Sequence, residues 1–448
     1  MMIKHIPVVS GGLPLIGHML DFGKDPDGFM QRCYAQYGDT FKIRLGKEAM
    51  NILINPHDIH EMYANKQRAF SATKSNRLIS QHVFGSSLDA YDRTVHAQID
   101  IMRKHLAKNN LHDYNLKMQN TLEAVIFQES SAHWQDIELY SFLSRLIYKA
   151  GSAALVSDTF ASDDSYRDFK VFDDNVFYIL GGAPKVFFRK AIAARNRINQ
   201  RFQQTSQVSN AMQLERYHCF EENGIRAYDV AANDTSIFWA ANSNTIVVAY
   251  WVILHLYRDP SVRGLLQEEM NTALQDSHEY SATGKPVLTL PVLEKLKKMD
   301  SFIDEALRHY SSIFSRRIAV KDTAFETRNG IYHIEEGEYV AGFSRICSFF
   351  PEIYEDPYTF QWDRYLNQKS FYYQGDKIKS MQFAFGGGQN ICPGRWFSRN
   401  EFKIVIATLL QFFDFQLMES HLPEVNLTRS GTGTLPPKDK IKARYKLK

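Results

Sequence analysis

The sequence predicts a mainly α protein with minor β structure, and three observations carry that prediction. Residues 40–45 and 51–56 alternate apolar and polar side chains as strands do, and Pro56 closes the second run. Residues 58–310 then show mostly helical spacing of apolar residues with few prolines, and 290–310 is the clearest single helix. Short alternating segments return after residue 330. Together these patterns indicate many helices and a few short strands.

Two C-terminal segments are predicted as strands. Residues 331–343, IYHIEEGEYVAGF, indicate a hairpin that turns around Glu335, Glu336 and Gly337. In the tail, residues 440–448, apolar side chains alternate with basic ones, which is typical of a terminal strand with one face in water. A nucleic-acid patch is the other use of such a basic run, and the alternation favours the strand.

Residues 233–260 are predicted as a long helix that begins at Asn233 or Asp234 and stops before Pro260. Nearly all of its residues are apolar except 242–245, NSNT, whose four side chains face every direction of a helical turn. Such a turn is costly in hydrocarbon, so we expect a helix buried in the protein rather than a membrane span. The polar turn would then line an internal cavity for a small molecule.

Composition limits the classes of function. The chain has 448 residues, of which 44% are hydrophobic, and it shows no linker or repeat, so a single domain over 1–448 is predicted. A net charge of +3 argues against a nucleic-acid binder. The four cysteines are too widely spaced for a zinc, redox or iron–sulfur motif. The N-terminus has neither a ~20-residue apolar anchor nor an uninterrupted signal core, so we expect a soluble, cytoplasmic protein with no transmembrane anchor.

A lone cysteine lies in the glycine-rich segment 383–397, FAFGGGQNICPGRWF. The dinucleotide fingerprint fails because position 391 is isoleucine, and no Gly-Lys-Ser/Thr follows as in a phosphate loop. An inert buried thiol and a cysteine nucleophile remain open readings of Cys392. However, the glycines at 386–388 let the backbone approach a flat group, and the helix predicted after Pro393 favours a thiolate through its dipole. A thiolate in a dry pocket suits haem iron, for which one cysteine suffices.

The pattern Phe385-x-x-Gly388-x-x-x-Cys392-x-Gly394 resembles the haem-binding signature of the cytochrome P450 superfamily, the haem-thiolate monooxygenases. This resemblance implies the P450 fold, a large helical domain with small β-sheets. It also implies a haem b cofactor whose iron is bound by Cys392.

Three further marks follow the order that the family shows. Glu305-x-x-Arg308 resembles the family's Glu-x-x-Arg helix, and DPYTFQWDRYL (356–366) resembles the segment whose arginine, here Arg364, completes a salt-bridged triad with that pair. The long helix with its polar turn resembles the oxygen-binding helix. The resemblance covers residues 240–448 most specifically, and the N-terminal half agrees in size and in the order of its elements.

Finer details resemble one branch of the superfamily, which contains the sterol 7- and 12-hydroxylases and prostacyclin synthase. These details are Trp362 where most relatives carry proline, the SNT of 243–245, ICPGR, and the tail RSGTGTLPP. Animal members of this branch carry a membrane anchor, and none is predicted for this chain. We therefore expect a soluble, bacterial-type relative. The substrate need not carry over from them.

The resemblance also assigns the haem contacts. The family often has arginine or histidine where this chain has Asn390, and the usual tryptophan before a propionate-binding arginine is not evident near residues 96–106. Arg317 is the better candidate to hold a propionate, and Arg103 is a second one. The full set of expected cofactor-binding residues is Cys392, Phe385, Gly386, Asn390, Pro393, Gly394, Arg317, Arg103 and Ala241.

The resemblance implies an oxygen-activating monooxygenase that hydroxylates an apolar small molecule, such as a steroid, terpenoid or fatty-acid-like compound. Thr245 is expected to hydrogen-bond dioxygen, and Asn244 takes the place of the family's usual acid, where it can only hold a water. The alternative is a haem-thiolate isomerase or dehydratase that rearranges a lipid peroxide without external electrons. A haem-binding sensor is a third reading, and the apolar cavity implied by the long helix weakens it.

An electron donor is expected as partner, because the chain shows no flavin or iron–sulfur motif. A ferredoxin with its reductase would supply two electrons. The basic residues Arg395, Arg399 and Lys403 follow the haem cysteine and are expected to form a docking face for an acidic ferredoxin.

Overall fold

The structure is a computed structural model that describes residues 3–205 and 210–448. Over the described residues the α-helices are α1 Met19–Lys24, α2 Pro26–Tyr37, α3 Pro56–Ala64, α4 Ala72–Ile79, α5 Leu88–His105, α6 His112–Glu129, α7 Leu139–Leu155, α8 Asp163–Leu180, α9 Arg189–Gln204, α10 Ala211–Glu222, α11 Ala227–Arg258, α12 Pro260–Leu274, α13 Leu290–Lys295, α14 Lys297–Tyr310, α15 Ser344–Cys347, α16 Arg364–Asn367 and α17 Arg395–Phe412.

The strands are short, as predicted. They are β1 Ile3–Lys4, β2 Thr40–Leu45, β3 Glu48–Leu53, β4 Phe70–Ser71, β5 Gln135–Glu138, β6 Ser311–Ala319, β7 Thr323–Thr327, β8 Gly330–Ile334, β9 Tyr339–Phe343, β10 Tyr372–Tyr373, β11 Asp376–Lys377, β12 Phe413–Leu417, β13 Thr432–Thr434 and β14 Lys442–Leu447. The mainly α class with minor β structure is confirmed.

The chain forms two compact units, and each is assembled from separate stretches of sequence. The sheet-rich unit consists of Met1–Asn76, Asp304–Cys392 and Val425–Pro437. The helical unit consists of Arg77–Ile303, Pro393–Glu424 and Lys438–Lys448. The single domain expected over 1–448 stays a prediction.

A mixed sheet organises the sheet-rich unit. Its strands run in the order β13-β6-β9-β3-β2, with β4 paired to β6, and β3 and β9 are parallel. The predicted strands at 40–45 and 51–56 correspond to the antiparallel pair β2 and β3, in register from Thr40 opposite Leu53 to Leu45 opposite Glu48. Alternate residues such as Phe41, Ile43 and Ile52 are buried in its core.

The hairpin predicted for residues 331–343 is wrong, although both strands exist. β8 pairs with β7 and β1, whereas β9 pairs with β6 and β3, so the two consecutive strands belong to different sheets. The turn itself forms, because the Glu338 N–H donates to the Glu335 carbonyl at 3.1 Å, but the Gly337 N–H donates to the Ala319 carbonyl and the two strands pair with other partners. The hairpin that does form is β7–β8, one strand earlier.

The helical unit is built around α11, and the predicted burial of this helix is confirmed. Trp251, Val252, Ile253 and Leu254 are fully buried. The helix ends at Arg258 as expected, but its N-terminus lies at Ala227 rather than near residue 233. Among the described residues, α11 is the one helix long and apolar enough to cross a membrane, and 67% of its most apolar window is buried.

The strand predicted for the tail is confirmed, whereas the helix predicted over 290–310 is interrupted. The tail forms β14, which lies between β12 and β5 with Ala443 and Tyr445 buried and the lysines and arginine toward water. The helix predicted over 290–310 is interrupted at Leu296, so that α13 and α14 are separate helices. The Leu296 side chain nevertheless stays fully buried, which explains why the apolar spacing continues across the break.

A buried ion cluster lies in the sheet-rich unit. The Arg308 guanidinium donates two hydrogen bonds to the Glu305 carboxylate, at 2.8 and 2.7 Å, and the Arg364 Nε lies 3.2 Å from both oxygens of the same group. Glu305 is fully buried, and both arginines are nearly so. Their remaining donors bind carbonyls of residues 348–359, so the cluster fixes that whole irregular segment.

Glu305→Ala should destabilise the protein by roughly 3–5 kcal/mol, because it leaves two buried arginines without their counter-ion. The measurement is denaturant unfolding, together with the haem content of the purified protein, which should fall. Glu61→Ala is the matched control, since the Glu61–Lys66 pair is exposed and its loss should change stability by less than about 1 kcal/mol. Normal stability and haem content in Glu305→Ala would show that the cluster is dispensable.

Asp58, in the first turn of α3, is a second buried carboxyl with a different environment. Its Oδ1 accepts a hydrogen bond from the backbone N–H of Arg328 at 2.8 Å, while Oδ2 has no hydrogen-bond partner among the described residues. Burial is the main cause that raises the pKa of Asp58 to about 7. Because the folded state holds this proton more tightly than the unfolded state does, the resulting stability is present at acidic pH and is lost as pH rises through about 7.

Asp58→Asn should therefore stabilise the protein relative to the parent at pH 8.5 more than at pH 5.5. The gain in free energy of unfolding from Asp58→Asn should be about 2–4 kcal/mol larger at pH 8.5 than at pH 5.5. Unfolding measured at both pH values tests this, and parallel pH profiles for the two proteins would contradict it.

Candidate active site

The cysteine loop belongs to the sheet-rich unit up to Cys392. Two short 3₁₀ turns, Phe383–Phe385 and Gly388–Asn390, shape it, and the Cys392 N–H donates to the Phe385 carbonyl at 2.9 Å. This bond ties the cysteine to the phenylalanine of the motif. The Cys392 side chain is half-buried, and α17 begins three residues later, as the sequence predicts.

The glycines of the loop serve a packing contact that the sequence did not predict. A methyl group at Gly387 would lie 2.2 Å from the Tyr63 ring, and one at Gly388 would lie 2.2 Å from the Tyr63 carbonyl oxygen. Gly386 and Gly388 also have positive φ angles of 69° and 64°. The loop is therefore pressed against α3, and two of its glycines are explained by Tyr63 rather than by the approach of a cofactor.

Arg317 on β6 lies beside this loop and is a buried cation without an acidic partner. Its side chain bonds only carbonyls, Arg316 at 2.9 Å and Gly387 at 3.4 Å, and its guanidinium lies 5.6 Å from the centre of the Tyr63 ring. No carboxylate of the described residues is within ion-pair distance of it. Burial consequently lowers the pKa of Arg317. A buried guanidinium in this state is stabilised by an anion.

These residues fit a haem. A haem has an iron that a protein side chain can bind and two propionate carboxylates. The loop carries Cys392, and the Arg317 guanidinium, which has no carboxylate partner among the described residues, lies 3.4 Å from the loop carbonyl of Gly387. Phe385, Gly386 and Asn390 lie on the loop as expected, with Asn390 exposed and Gly386 having room around it. Their contacts to a cofactor stay predictions, as do those of Pro393 and Gly394.

In the helical unit, the polar turn of α11 is partly committed to its own helix. The Thr245 hydroxyl donates to the Ala241 carbonyl at 2.8 Å, and the Asn242 amide donates to the Phe238 carbonyl at 2.9 Å. Such bonds satisfy the donor and leave the threonine oxygen able to accept. Ser243 instead donates to Asp173 of α8 at 2.6 Å. The turn thus presents acceptors rather than an acid.

Glu401 is a buried acid that sequence reasoning missed. It lies on α17 with 3% of its surface exposed, and burial raises its pKa well above the usual value. A methyl group at Gly151 of α7 would lie 2.8 Å from its Oε1 and 3.9 Å from Asn242 Oδ1. The acid therefore lies near the polar turn of α11. A charged residue inside the apolar run FKIVIATLL could have pointed to it.

Two basic groups differ from expectation. Arg103 is half-exposed and pairs with Asp100 at 2.7 Å, a surface ion pair that a propionate would have to replace. Lys403 was expected on a docking face, and that is wrong: it is 4% exposed, lies 2.7 Å from Asp300 and donates to the Leu293 carbonyl. Its helix position faces the interior, which the sequence pattern did not reveal. Arg399 is also oriented toward Asp300, at 3.9 Å.

Comparison with known proteins agrees with this geometry. The family model described as Cytochrome P450 matches residues 7–213 and 99–443. The chain is 29% identical to cholesterol 7-alpha-monooxygenase of Cricetulus griseus, over 99% of this chain and 93% of the relative. It is 24% identical to a 7-alpha-hydroxycholest-4-en-3-one 12-alpha-hydroxylase of Oryctolagus cuniculus and 24% identical to prostacyclin synthase of Bos taurus, each over 99% of this chain and 93% and 94% of the relatives.

A solved structure, retinoic-acid-bound cyanobacterial CYP120A1, superposes with a TM-score of 0.77 at 20% sequence identity and with full coverage of both chains. At this identity the likeness shows the fold. The fold predicted from the sequence signature is thereby confirmed.

Cys392→Ala should abolish the strongly red-shifted Soret band of the reduced, carbon-monoxide-bound protein, because that band reports thiolate ligation. Cys219→Ala is the matched control, since Cys219 is also half-buried, and it should keep the band. Changes at Cys33 and Cys347 should keep it as well. Retention of the band in Cys392→Ala would disprove the ligand assignment.

Proposed function

Since this chain belongs to the cytochrome P450 family and is a haem-dependent monooxygenase, we propose that its substrate is an apolar small molecule of steroid, terpenoid or fatty-acid-like type. It hydroxylates this substrate with dioxygen and two electrons. The observation that carries the proposal is the polar turn on the buried helix α11, where Thr245 is buried and directly precedes the apolar run 246–254. The similarity to a cholesterol 7-alpha-monooxygenase and to a 12-alpha-hydroxylase supports the substrate class.

Haem b is the proposed form of the cofactor, with Cys392 as the iron ligand and Arg317 as the partner of a propionate. When bound, the haem supplies the chemistry of oxygen activation, in which one oxygen atom enters a C–H bond and the other leaves as water. Arg317 fits its role because its guanidinium is buried with carbonyl partners alone.

The chain's own residues manage protons and water. Thr245 directs its hydroxyl proton to the Ala241 carbonyl, so its oxygen is an acceptor toward the other side. Asn244 cannot release a proton as a carboxylate does, and its role is to hold a water. Two acidic residues lie beside this turn: Asp173 accepts a hydrogen bond from Ser243, and Glu401, whose pKa burial raises well above its usual value, lies close to Asn242.

Hydroxylation is favoured over the isomerase alternative. An isomerase acting on a peroxide needs no proton delivery and has no use for a hydroxyl at position 245. Cholesterol 7-alpha-monooxygenase is also more similar to this chain than prostacyclin synthase is, at 29% against 24% identity.

Monooxygenases of this family receive electrons from a partner, and a ferredoxin with its reductase is the proposed donor. With Lys403 buried and Arg399 oriented toward Asp300, Arg395 is the remaining residue of the expected docking face, and its guanidinium lies 5.1 Å from the Trp396 ring centre. A cytoplasmic location is part of the same proposal.

Thr245→Ala should leave substrate binding nearly unchanged while it diverts most of the electrons to hydrogen peroxide, because the hydrogen-bonding oxygen at this turn is lost. The assay supplies NAD(P)H, reductase, ferredoxin and a sterol, and follows labelled-oxygen incorporation, oxygen uptake and peroxide. Ser236→Ala is the matched control: Ser236 also donates to a carbonyl of α11, that of Asn233 at 2.7 Å, and its loss should keep coupling intact.

Two results would count against the proposal. Turnover without electrons, and only on a lipid peroxide, would establish the isomerase. Equal coupling in Thr245→Ala and the parent would remove Thr245 from the reaction.

A further inference from the structure

A cleft in the helical unit is not accounted for by the candidate active site. Its volume of about 750 Å³ lies within the range of small-molecule sites. The C-terminal end of α11, the first turns of α12 and strand β12 line it, together with Trp134 and the last residues of the tail. Tyr257, which lines the cleft, lies twelve residues beyond Thr245 on α11, about 18 Å along the helix. The cleft is therefore separate from the polar turn.

Much of the lining of the cleft is apolar and aromatic. Leu410, Phe413 and Phe415 line it and are almost fully buried in the protein beneath. The Tyr257 ring lies 4.6 Å from the Phe415 ring, and the two are tilted by 37°. Trp134 also lines the cleft and is 39% exposed. Such a lining suits a flat, apolar molecule.

The charged groups of the cleft do not balance. Lys446 and Asp414 form an ion pair at 3.3 Å. The other two charged side chains of the lining are Arg263 and Lys448, and neither forms an ion pair with a described residue. The Arg263 guanidinium lies 5.3 Å from the centre of the Tyr257 ring, and the Lys448 Nζ donates to the Leu410 carbonyl. Two positive charges thus remain, and they favour an anion as ligand.

These two cations also act on each other. Burial is the main cause that lowers the pKa of Lys448, the Arg263 charge lowers it further, and Asp414 acts in the opposite direction. Like charges that share a cleft repel each other, and an anion bound there would offset the repulsion. The planar guanidinium of Arg263 matches the two oxygens of a carboxylate.

Gly264 is an independent observation that points to a ligand. It lies inside α12, where glycine is the least favourable residue apart from proline. A Cβ built there would meet no described atom within 4 Å, and its φ is not positive, so neither packing nor backbone conformation requires glycine. Pro260, Arg263, Gly264 and Gln267 share the face of α12 that lines the cleft. The missing side chain leaves the helix backbone open to close approach by a ligand.

We propose that this cleft binds a flat apolar carboxylate, that is, an aromatic ring system with one acid group, at a site separate from the candidate active site. Arg263 and Lys448 bind the carboxylate. The ring system lies against the backbone at Gly264 and on the apolar lining. The site goes beyond the proposed hydroxylation and does not depend on which lipid the enzyme hydroxylates.

Calorimetry on the haem-loaded protein tests the site with 2-naphthoate and 2-naphthamide, which have the same shape and differ in charge. The acid should bind at least about tenfold more tightly than the amide, because the amide lacks the charge-assisted bonds. Its binding should leave the Soret band unmoved, since the cleft is separate from the haem site. In Arg263→Gln the affinity for 2-naphthoate should fall about tenfold, to that for the amide.

Two further variants separate the site from general effects of charge and folding. Arg258→Gln removes the same charge from the end of α11, outside the lining, where Arg258 donates to the Ser420 carbonyl; it should keep the affinity within about twofold. Gly264→Leu fills open space and introduces a better helix former, so it should raise the thermal stability slightly. The same variant should abolish binding of 2-naphthoate, which damage to the fold could not explain.

Equal affinity of the parent for 2-naphthoate and 2-naphthamide would overturn the inference, and so would an unchanged affinity for 2-naphthoate in Arg263→Gln or in Gly264→Leu. A shift of the Soret band by 2-naphthoate that persists in Gly264→Leu would place the ligand at the haem and remove the cleft as its site.

Discussion

Burial of charge is the constraint on which much of this structure depends, because an ion that leaves water must find an opposite charge or a set of oriented dipoles. Glu305 is the counter-ion of two arginines at once. Their spare donors bind carbonyls of the irregular segment that begins at residue 348, and the Gln361 N–H at its other end donates to Glu305 itself. Arg216 and Asp234 repeat the arrangement between α10 and α11 at 2.5 Å. Where the described residues supply no opposite charge, as at Arg317, the missing partner is best sought among the molecules that the protein binds.

The same constraint separates carboxyl groups by role. Glu305 accepts hydrogen bonds from two arginines and stabilises structure, whereas burial raises the pKa of Glu401 well above its usual value. One residue type therefore serves as a counter-ion in the sheet-rich unit and, in the helical unit, lies where burial favours its protonated form.

The sequence predicted those features that depend on neighbouring residues. Strands β2, β3 and β14, the long helix α11, and the loop that ends in Cys392 all follow from local spacing. Partners remote in sequence were not predictable: β8 and β9 are consecutive yet lie in different sheets, and Gly387 and Gly388 are required by Tyr63, more than three hundred residues earlier. Lys403 was misplaced and Glu401 was missed for a similar reason, since which face of a helix is buried depends on the helices packed against it.

The discontinuous make-up of the two units has a consequence for biosynthesis. Cys392 is the last residue of one stretch of the sheet-rich unit, and Pro393 is the first of a stretch of the helical unit. Strand β13 completes a sheet of the first, and strand β14 is the central strand of a sheet of the second, so each unit waits for residues beyond 430. Neither unit can therefore complete its sheets before the residues beyond 430 have been synthesised, and the long-range contacts that complete them form slowly. Until then the growing chain must keep part of the apolar surface of both units from aggregating.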